Sequence, residues 1–402
     1  MVSRRHALTV LGSAAAVGLS GCLFGGAGTG AGDEPPATVS NRPVDATGAI
    51  PQHQVDAENA GTLADTAPAD PTVAWRRTPN RYDGSQPVVV DDAVYVAFDG
   101  DLVKLALGDG ETVWTVDAGH ASRSTPAVHD GVVYATVWNG GESVPRGLVA
   151  VDADDGAERW RALTDSDVTA SPTPTDDAVF VGGGFETREV AAVEHDGTVR
   201  WRRDLGEYAA APAVSDGRAL YATGESASVV ALDAGTGETV WERSLGGRSL
   251  VAPTVTDGDA VVADETGTVR SLGVERGEKR WETAVDGRVR HSVAVDGDGE
   301  VVVTHHGGVT ALAAADGRER WTAELDGDPT APILAENAVL VGTGRDVVAV
   351  TRADGAERWR VETRERNYTD VVLGGVTGAP VTVDGTVLVA TQAGDVYALD
   401  DG

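Results

Sequence analysis

Short apolar, β-prone runs recur along this chain, and each run is closed by a polar turn that contains Gly, Asp or Glu. Residues 251–281 show the unit: the runs are Pro253–Thr256, Ala260–Ala263, Thr268–Leu272 and Lys279–Thr283. Asp-Gly and similar pairs allow positive φ in tight hairpins between antiparallel strands. The pattern therefore predicts an up-and-down sheet of four antiparallel strands in each unit.

The unit repeats with a period near 40 residues, which a Gly–x–x–x–Trp pair marks seven times. Four strands in about 40 residues form one blade of a β-propeller. A Trp on the outermost strand can cover the apolar face of the adjacent blade, so we interpret these tryptophans as contacts between blades. With one further Trp near the N-terminus, they are Trp75, Trp114, Trp160, Trp201, Trp241, Trp281, Trp321 and Trp359.

A second marker gives an independent count of the blades. A small or polar residue followed by Pro opens seven first strands, and blade six has His291–Ser292–Val293 instead, which makes eight. The eighth unit, Ala379–Gly402, has no Trp strand, so we expect residues 71–77 to supply it. The predicted fold is all-β: an eight-bladed propeller of four-stranded antiparallel blades over residues 71–402, closed by the N-terminal strand 71–77.

The fuller repeat is Ala–x–Asp–x–x–x–Gly–x–x–x–Trp, complete at residues 150–160 and 231–241. It resembles the tryptophan-docking motif of the pyrroloquinoline-quinone (PQQ) repeat propellers. That family includes quinoprotein alcohol dehydrogenases and the non-enzymatic barrel-assembly lipoprotein BamB, so the resemblance implies the fold but not an activity. Residues 56–61 resemble the entry segment of haloarchaeal members.

The N-terminus predicts export and lipid anchoring. Arg4 and Arg5 form a twin arginine, residues 7–19 are apolar, and Leu19–Cys22 resembles a lipobox whose Cys is the only one in the chain. We expect a twin-arginine signal peptide over 1–21, lipidation of Cys22, and a place on the extracytoplasmic face of the membrane. Residues 22–70, rich in Gly, Ala, Pro, Thr and Asp, are predicted to be mostly a flexible tether, with the part from Pro51 onward able to lie on the propeller.

The net charge of the chain excludes some classes of binding partner. With 32 Lys and Arg against 63 Asp and Glu, the net charge is −31, and only two of the basic residues are lysines. Acid-rich, lysine-poor composition is typical of proteins adapted to high salt. No basic stripe is present to neutralise phosphates, so nucleic-acid binding is disfavoured.

The sequence lacks the common motifs of catalytic, phosphate-binding and metal-binding sites. We find no Ser-His-Asp elbow, no phosphate loop and no closely spaced Cys/His metal motif. Quinoprotein dehydrogenases hold PQQ and Ca²⁺, often beneath a vicinal disulfide that a chain with one cysteine cannot form. We therefore expect no cofactor, and keep PQQ with Ca²⁺ as the alternative.

Departures from the repeat are the best pointers to a site, because function tends to lie in loops on a rigid scaffold. The connections between blades and the loops from second to third strands share one face. Candidate residues for a ligand or partner there are Arg123, Trp138, Arg146, Tyr208, Arg248, Arg290 and Tyr368. The arginines can hold an anion or balance local acid, and Trp138 can contact a partner or pack its own loop. His291, His305 and His306, all of blade six, can bind a transition metal or belong to a polar turn.

From the sequence we expect a monomeric, non-catalytic, lipid-anchored propeller that binds a protein or peptide partner at the cell surface. The alternatives are a PQQ-dependent surface oxidoreductase and a small-molecule or metal sensor at the mouth of the channel.

Overall fold

In a computed structural model, the described part of the chain consists of 35 β-strands and no α-helix. It comprises residues 37–80, 82–120, 124–139, 145–224, 226–249, 251–297, 299–368 and 371–402. These strands form eight antiparallel sheets, which are the blades of a propeller, and one separate hairpin. The predicted fold class is confirmed.

The strands are numbered in chain order. Two precede the first blade: β1 Gly48–Ile50 and β2 Thr72–Arg77. Blade 1 contains β3 Val88–Asp91, β4 Ala93–Ala97, β5 Asp99–Ala106 and β6 Thr112–His120. Blade 2 contains β7 Ala127–His129, β8 Val132–Val137, β9 Gly147–Asp152 and β10 Glu158–Ala162. Blade 3 contains β11 Thr173–Pro174, β12 Val179–Val181, β13 Glu189–Val193 and β14 Val199–Asp204. Blade 4 contains β15 Ala213–Ser215, β16 Arg218–Ala222, β17 Ser228–Asp233 and β18 Thr239–Ser244.

Blade 5 contains β19 Thr254–Thr256, β20 Asp259–Ala263, β21 Thr268–Gly273 and β22 Lys279–Ala284. Blade 6 contains β23 Ala294–Val295, β24 Glu300–His305, β25 Gly308–Ala313 and β26 Glu319–Glu324. Blade 7 contains β27 Ile333–Ala335, β28 Ala338–Thr343, β29 Asp346–Val350 and β30 Glu357–Glu362. The connection to the last blade forms a hairpin of β31 Arg366–Tyr368 and β32 Val371–Leu373. Blade 8 contains β33 Val381–Val383, β34 Thr386–Ala390 and β35 Val396–Asp400, completed by β2.

Blade 8 is built from both ends of the described chain. Strand β2 pairs antiparallel with β35, from Thr72 opposite Asp400 to Arg77 opposite Val396. The N-terminal strand expected over 71–77 therefore takes the place of the missing outer strand. Because the last blade is finished by the first outer strand, the ring has no open edge at this point.

Every docking tryptophan donates its indole N–H to a main-chain carbonyl over 2.6–3.1 Å, seven of them to the next blade and Trp359 to the N-terminal segment. Seven of the eight are buried, and Trp160 is partly buried. The acceptors, for Trp75 through Trp359 in order, are the carbonyls of Leu107, Ala153, His195, Ala234, Val274, Ala314, Arg352 and Pro68. Trp359 of blade 7 thus docks on the N-terminal segment beside β2, and the cycle of contacts closes.

The residues of the repeated motif each have a place in this contact. In blade 4, Ala231 lies opposite Trp241 across the strand pair, and a one-residue bulge at Val240 immediately precedes the Trp. Asp233 accepts hydrogen bonds from the main-chain N–H groups of the following turn. Gly237 has a φ of +68°, and a Cβ on it would lie 2.6 Å from the ring of Trp201. The glycine is required both by the turn and by the Trp of the preceding blade.

The N-terminal segment 37–70, here called the strap, is not the flexible tether that its composition predicts. Strand β1 adds to the inner edge of blade 1 by pairing with β3. The strap then accepts main-chain hydrogen bonds from the first strands of blades 2, 4, 5, 6 and 7, in the last case at Leu334. Asn59 is buried and donates to the carbonyls of Pro212 and Pro253. The strap therefore lines the inside of the ring.

The composition of the strap predicts a flexible segment, but its few apolar residues are buried in the core. Val44, Ile50 and Leu63 are buried in the same cluster as the cores of blades 7, 8 and 1. Its main chain is satisfied by strands that lie far away in sequence, as in the bond from Val295 N–H to the carbonyl of Ala60. No helix in the described residues is long and apolar enough to cross a membrane.

The contact between the motif glycine and the preceding tryptophan can be tested with a matched pair of substitutions. Gly237 and Gly246 both have positive φ, but only Gly237 faces a Trp, since nothing lies within 4 Å of a Cβ at Gly246. Each change to Ala is expected to cost about 1 kcal/mol for the left-handed backbone. Gly237→Ala should lose roughly 1–3 kcal/mol more, because the new methyl displaces Trp201. Denaturant unfolding in molar salt measures both, and equal losses would refute the docking contact.

Candidate functional site

The face that carries the connections between blades and the loops from second to third strands is called the upper face. A cavity of about 360 Å³ opens there at the centre of the ring. Its wall is made by the residues that immediately precede the first strands of the blades, and His53 of the strap lies at its floor. The strap therefore closes the channel below the cavity.

The wall from blades 1 to 3 is polar. Ser124 accepts a hydrogen bond from the hydroxyl of Thr136 over 2.6 Å, and Ser171 accepts one from the Thr125 N–H over 2.9 Å. The side-chain amide of Gln86 donates to the carbonyl of Gln52 in the strap. These bonds fix the hydroxyl groups on rigid main chain, which is the condition for a preorganised polar surface.

The wall from blades 4 and 5 is apolar. Ala211 and Ala252 line it, and Tyr208 packs against them. The ring of Phe185 stacks on Tyr208 at 4.9 Å between centroids with 17° between the planes. Burial raises the pKa of Tyr208, so its phenol stays neutral at ordinary pH. The cavity thus has one polar and one apolar side.

Blade 6 places basic and polar side chains between these two walls. Arg290, His291 and Ser292 line the cavity, and the Ser292 hydroxyl lies 3.5 Å from Nε2 of His53. The guanidinium of Arg290 also lies 3.6 Å from Asp328, outside the cavity lining. Burial, and then the neighbouring His291, lower the pKa of His53 from 6.5 to about 4, so its imidazole is neutral at pH 7.

These residues do not fit PQQ with Ca²⁺. Among the described residues that line the cavity there is no Asp or Glu. Calcium takes oxygen ligands, usually including carboxylates, and abstraction of a proton from an alcohol needs a positioned base. The described lining offers imidazoles, hydroxyls, the Gln86 amide and the Arg290 guanidinium, but no carboxylate, and we derive no step through this cofactor.

The structure brings some of the sequence-predicted residues together and leaves others apart. Tyr208, Arg290 and His291 line the cavity, whereas Trp138, Arg146 and Arg248 do not. Trp138 is 40% exposed at the end of β8. Arg146 pairs with Glu186 at 2.8 Å, which joins the loop of blade 2 to that of blade 3, and Arg248 is exposed.

Five further predicted residues cannot be placed by side chain. Tyr368 belongs to β31, where its main chain pairs with Val371. Arg123 lies outside the described residues, as do Arg4, Arg5 and Cys22 of the predicted signal.

The grouping of His291, His305 and His306 as a metal site was wrong for the part of the chain that is described, where no three His, Cys, Asp or Glu side chains can hold a metal ion. His305 is buried, with its Nε2 2.9 Å from the hydroxyl of Thr310. His306 is exposed and pairs with Asp328. The two side chains have different partners, His305 inside the blade and His306 on its surface, so they do not converge on one ion.

Sequence reasoning missed two residues of this face, His53 and Phe185. The side chain of Phe185 is 62% exposed in the loop between β12 and β13. An aromatic residue among the glycines and polar residues of this loop was a signal that could have been used. No local signal marks His53, because contacts made 239 residues away with Ser292 and Val293 set its position.

Comparison with protein families gives one match. The family model described as outer membrane protein assembly factor BamB matches residues 59–175, 186–282 and 229–402. No curated protein matches the chain.

Solved structures with the same fold have different titles. The chain is similar to quinohemoprotein alcohol dehydrogenase from Comamonas testosteroni, with 16% identity, 87% of this chain and 80% of that chain covered, and a TM-score of 0.71. It is similar to BamB from Moraxella catarrhalis, with 19% identity, 82% and 97% covered, and a TM-score of 0.64. A computationally designed protein, Ika8, has 15% identity, 83% and 99% covered, and a TM-score of 0.68. At these identities the likeness shows the fold alone.

The environment of His53 predicts a pH dependence of stability. Its pKa is about 4 in the folded protein and 6.5 ordinarily, so between these values the unfolded chain binds a proton that the folded chain does not. Stability should therefore fall as pH falls, by about 2 kcal/mol between pH 7 and 5 from this residue alone. The variant His53→Gln should lose that part of the slope. Denaturant unfolding at both pH values measures it, and identical slopes for the two proteins would contradict the buried site.

Proposed function

The chain belongs to the PQQ-like repeat family described as outer membrane protein assembly factor BamB, and from this premise we propose that it is a non-catalytic binding protein. In this proposal its upper face holds a protein or peptide partner. The family and the fold support binding in general, and the residues of the upper face supply the particular surface.

The observation that carries the proposal is the exposed ring of Phe185, stacked on Tyr208 at the rim of the cavity. Phe185 is 62% exposed although it stacks on Tyr208. Stacking fixes the ring in one orientation, so a partner would lose little conformational entropy in covering it. Rigid, exposed aromatic side chains near the centre of a face are the usual anchors of protein interfaces.

The distribution of other apolar side chains supports the same face. Six large apolar side chains are exposed in the described residues, and four of them, Trp138, Phe185, Val371 and Val372, lie in loops of the upper face. The other two, Val113 and Val240, are the bulge residues that precede docking tryptophans in blades 1 and 4. Their exposure has a structural reason, whereas the part of the chain that the structure describes gives none for the four upper residues.

The charge indicates which contacts would give affinity. At a net charge of −31 the surface repels acidic partners, and salt screens ionic contacts beyond about 10 Å at 0.1 M or about 3 Å at 1 M. Burial of apolar area is not weakened in this way and is strengthened by strongly excluded salts. Phe185 and its neighbours would then contribute more than the exposed ion pairs.

We also propose that the protein is held on the extracytoplasmic face of a membrane by a lipid on Cys22, after export directed by Arg4 and Arg5. The support is the sequence Leu19–Cys22 and the presence of a single cysteine. The variant Cys22→Ser should move the protein from the membrane fraction into the medium or remain unprocessed. Membrane retention of a processed Cys22→Ser protein would contradict the lipid anchor.

Partner binding can be tested by cross-linking through carboxylates, which suits a chain with 63 acidic residues and two lysines. Glu186 is 72% exposed beside Phe185, so a carboxyl-reactive reagent applied to cells should link it to the partner. We expect a single polypeptide to be recovered on Glu186, and its yield to fall at least about 10-fold in Phe185→Ala.

The matched control is Val113→Ala, which removes a similarly exposed side chain from a blade edge, 53% exposed, and should leave the yield unchanged. Equal yields from Phe185→Ala and the unchanged protein would contradict the proposed surface. Purification with a stoichiometric quinone would contradict the non-catalytic function itself.

A further inference from the structure

Blade 6 breaks the repeat at the cavity wall. Most blades have a Pro immediately before their first strand. Two positions before that Pro the residue is Ser, Ala, Val, Thr or Gly, whereas blade 6 has His291 at this position. The usual Pro is itself replaced by Val293. In a repeat protein the scaffold explains the residues that recur, so a residue that departs from the pattern and faces a cavity needs another reason.

The strap brings a second imidazole to the same point. Gln54 is fully buried and donates its side-chain amide to the carbonyl of Val293 over 3.2 Å. This bond holds the preceding residue, His53, against Ser292 at the floor of the cavity. The side chains of His53, Arg290, His291 and Ser292 are therefore collected on one side of the cavity from two distant parts of the chain.

This cluster has the chemistry of a carboxylate site. A guanidinium, imidazole N–H groups and a hydroxyl are all hydrogen-bond donors, and the described lining has no Asp or Glu to oppose an anion. Beside it lies the apolar wall of Tyr208, Ala211 and Ala252. We propose that the cavity binds the carboxylate of a ligand with an apolar body, the carboxylate at the blade 6 cluster and the body against blades 4 and 5.

The size of the cavity and its surroundings limit the ligand further. About 360 Å³ lies in the range of pockets for small molecules, and is enough for a short branched acid or the last residues of a peptide. Asp328 and Glu265 lie in the adjoining depression beside Arg290. They reduce the long-range positive potential, so the ligand would be held by contact hydrogen bonds. The Asp328 carboxylate lies 3.6 Å from the guanidinium, which is beyond hydrogen-bond distance.

N-acetylvaline and its uncharged amide have nearly the same shape, so a difference in their affinities reports the contribution of the carboxylate charge. Each is titrated calorimetrically into the full-length protein in molar salt. We expect the acid to bind at least about 10-fold more tightly than the amide, because hydrogen bonds to a charged group are the stronger ones. Arg290→Gln should remove most of this preference. Arg248→Gln is the matched control, since Arg248 is an exposed arginine of the same face outside the cavity lining, and should bind as the unchanged protein does.

A second readout is independent of affinity. A bound carboxylate favours the protonated imidazole, so the pKa of His53 should rise from about 4 when N-acetylvaline is added, and should not rise with the amide. Proton NMR of the imidazole during a pH titration measures this shift, with His53→Gln identifying the signal.

The source of the carboxylate is distinguished by a hexapeptide that ends in Ala-Val, with a free or an amidated C-terminus. Tighter binding of the free peptide than of N-acetylvaline indicates a chain end, and weaker binding indicates a small organic acid; both agree with the proposal. Equal affinity for acid and amide, unchanged binding in Arg290→Gln, or no binding of either acid would overturn it. The proposal does not depend on the partner surface at Phe185, which has its own test.

Discussion

The hydrogen bond from each docking indole N–H to a carbonyl of the next blade, or of the strap in the case of Trp359, is the contact on which the rest of this structure depends. A four-stranded blade has two apolar faces and is not stable alone, so the ring exists only if each blade is held at a fixed angle to its neighbour. The eight tryptophans supply that angle, with acceptor distances of 2.6–3.1 Å throughout. The motif glycine, the small residue opposite the Trp and the bulge before it are all consequences of this one contact.

The last of these contacts makes the N-terminal strap part of the fold. Trp359 donates to the carbonyl of Pro68, and Trp75 of β2 donates to Leu107 in blade 1. Before Pro68 the chain runs along the inside of the ring at residues 51–63, and after Pro68 strand β2 completes blade 8. The same segment gives the cavity its floor and His53. One stretch of chain therefore both closes the ring and forms the site, so a substitution that disturbs one should also disturb the other.

The sequence was sufficient for the parts of the molecule that repeat. The spacing of the tryptophans predicted the blades, and the missing Trp of the last unit identified residues 71–77 as the closing strand, which is observed as Thr72–Arg77. It was insufficient where position depends on contacts between distant residues. Composition made the strap a tether because it counts apolar residues and not the carbonyls that satisfy its main chain. The sequence could not show that His305 bonds to Thr310 inside blade 6 while His306 pairs with Asp328 on the surface, so the two were placed on one site. Phe185 and His53 were missed because neither belongs to the repeat.

The central claim is that the strap is an integral element of the ring. Hydrogen exchange of the full-length protein in molar salt, followed by mass spectrometry, tests it most directly. The amides of Val55, Asn59 and Gly61 donate to carbonyls of the strap itself, and the amide of Leu63 donates to the carbonyl of Leu334 in blade 7. The account predicts that peptides covering 52–66 are protected as strongly as the central strand β34, because they open only when the ring opens. Exchange of that segment at the rate of an unstructured chain, with β34 still protected, would contradict it.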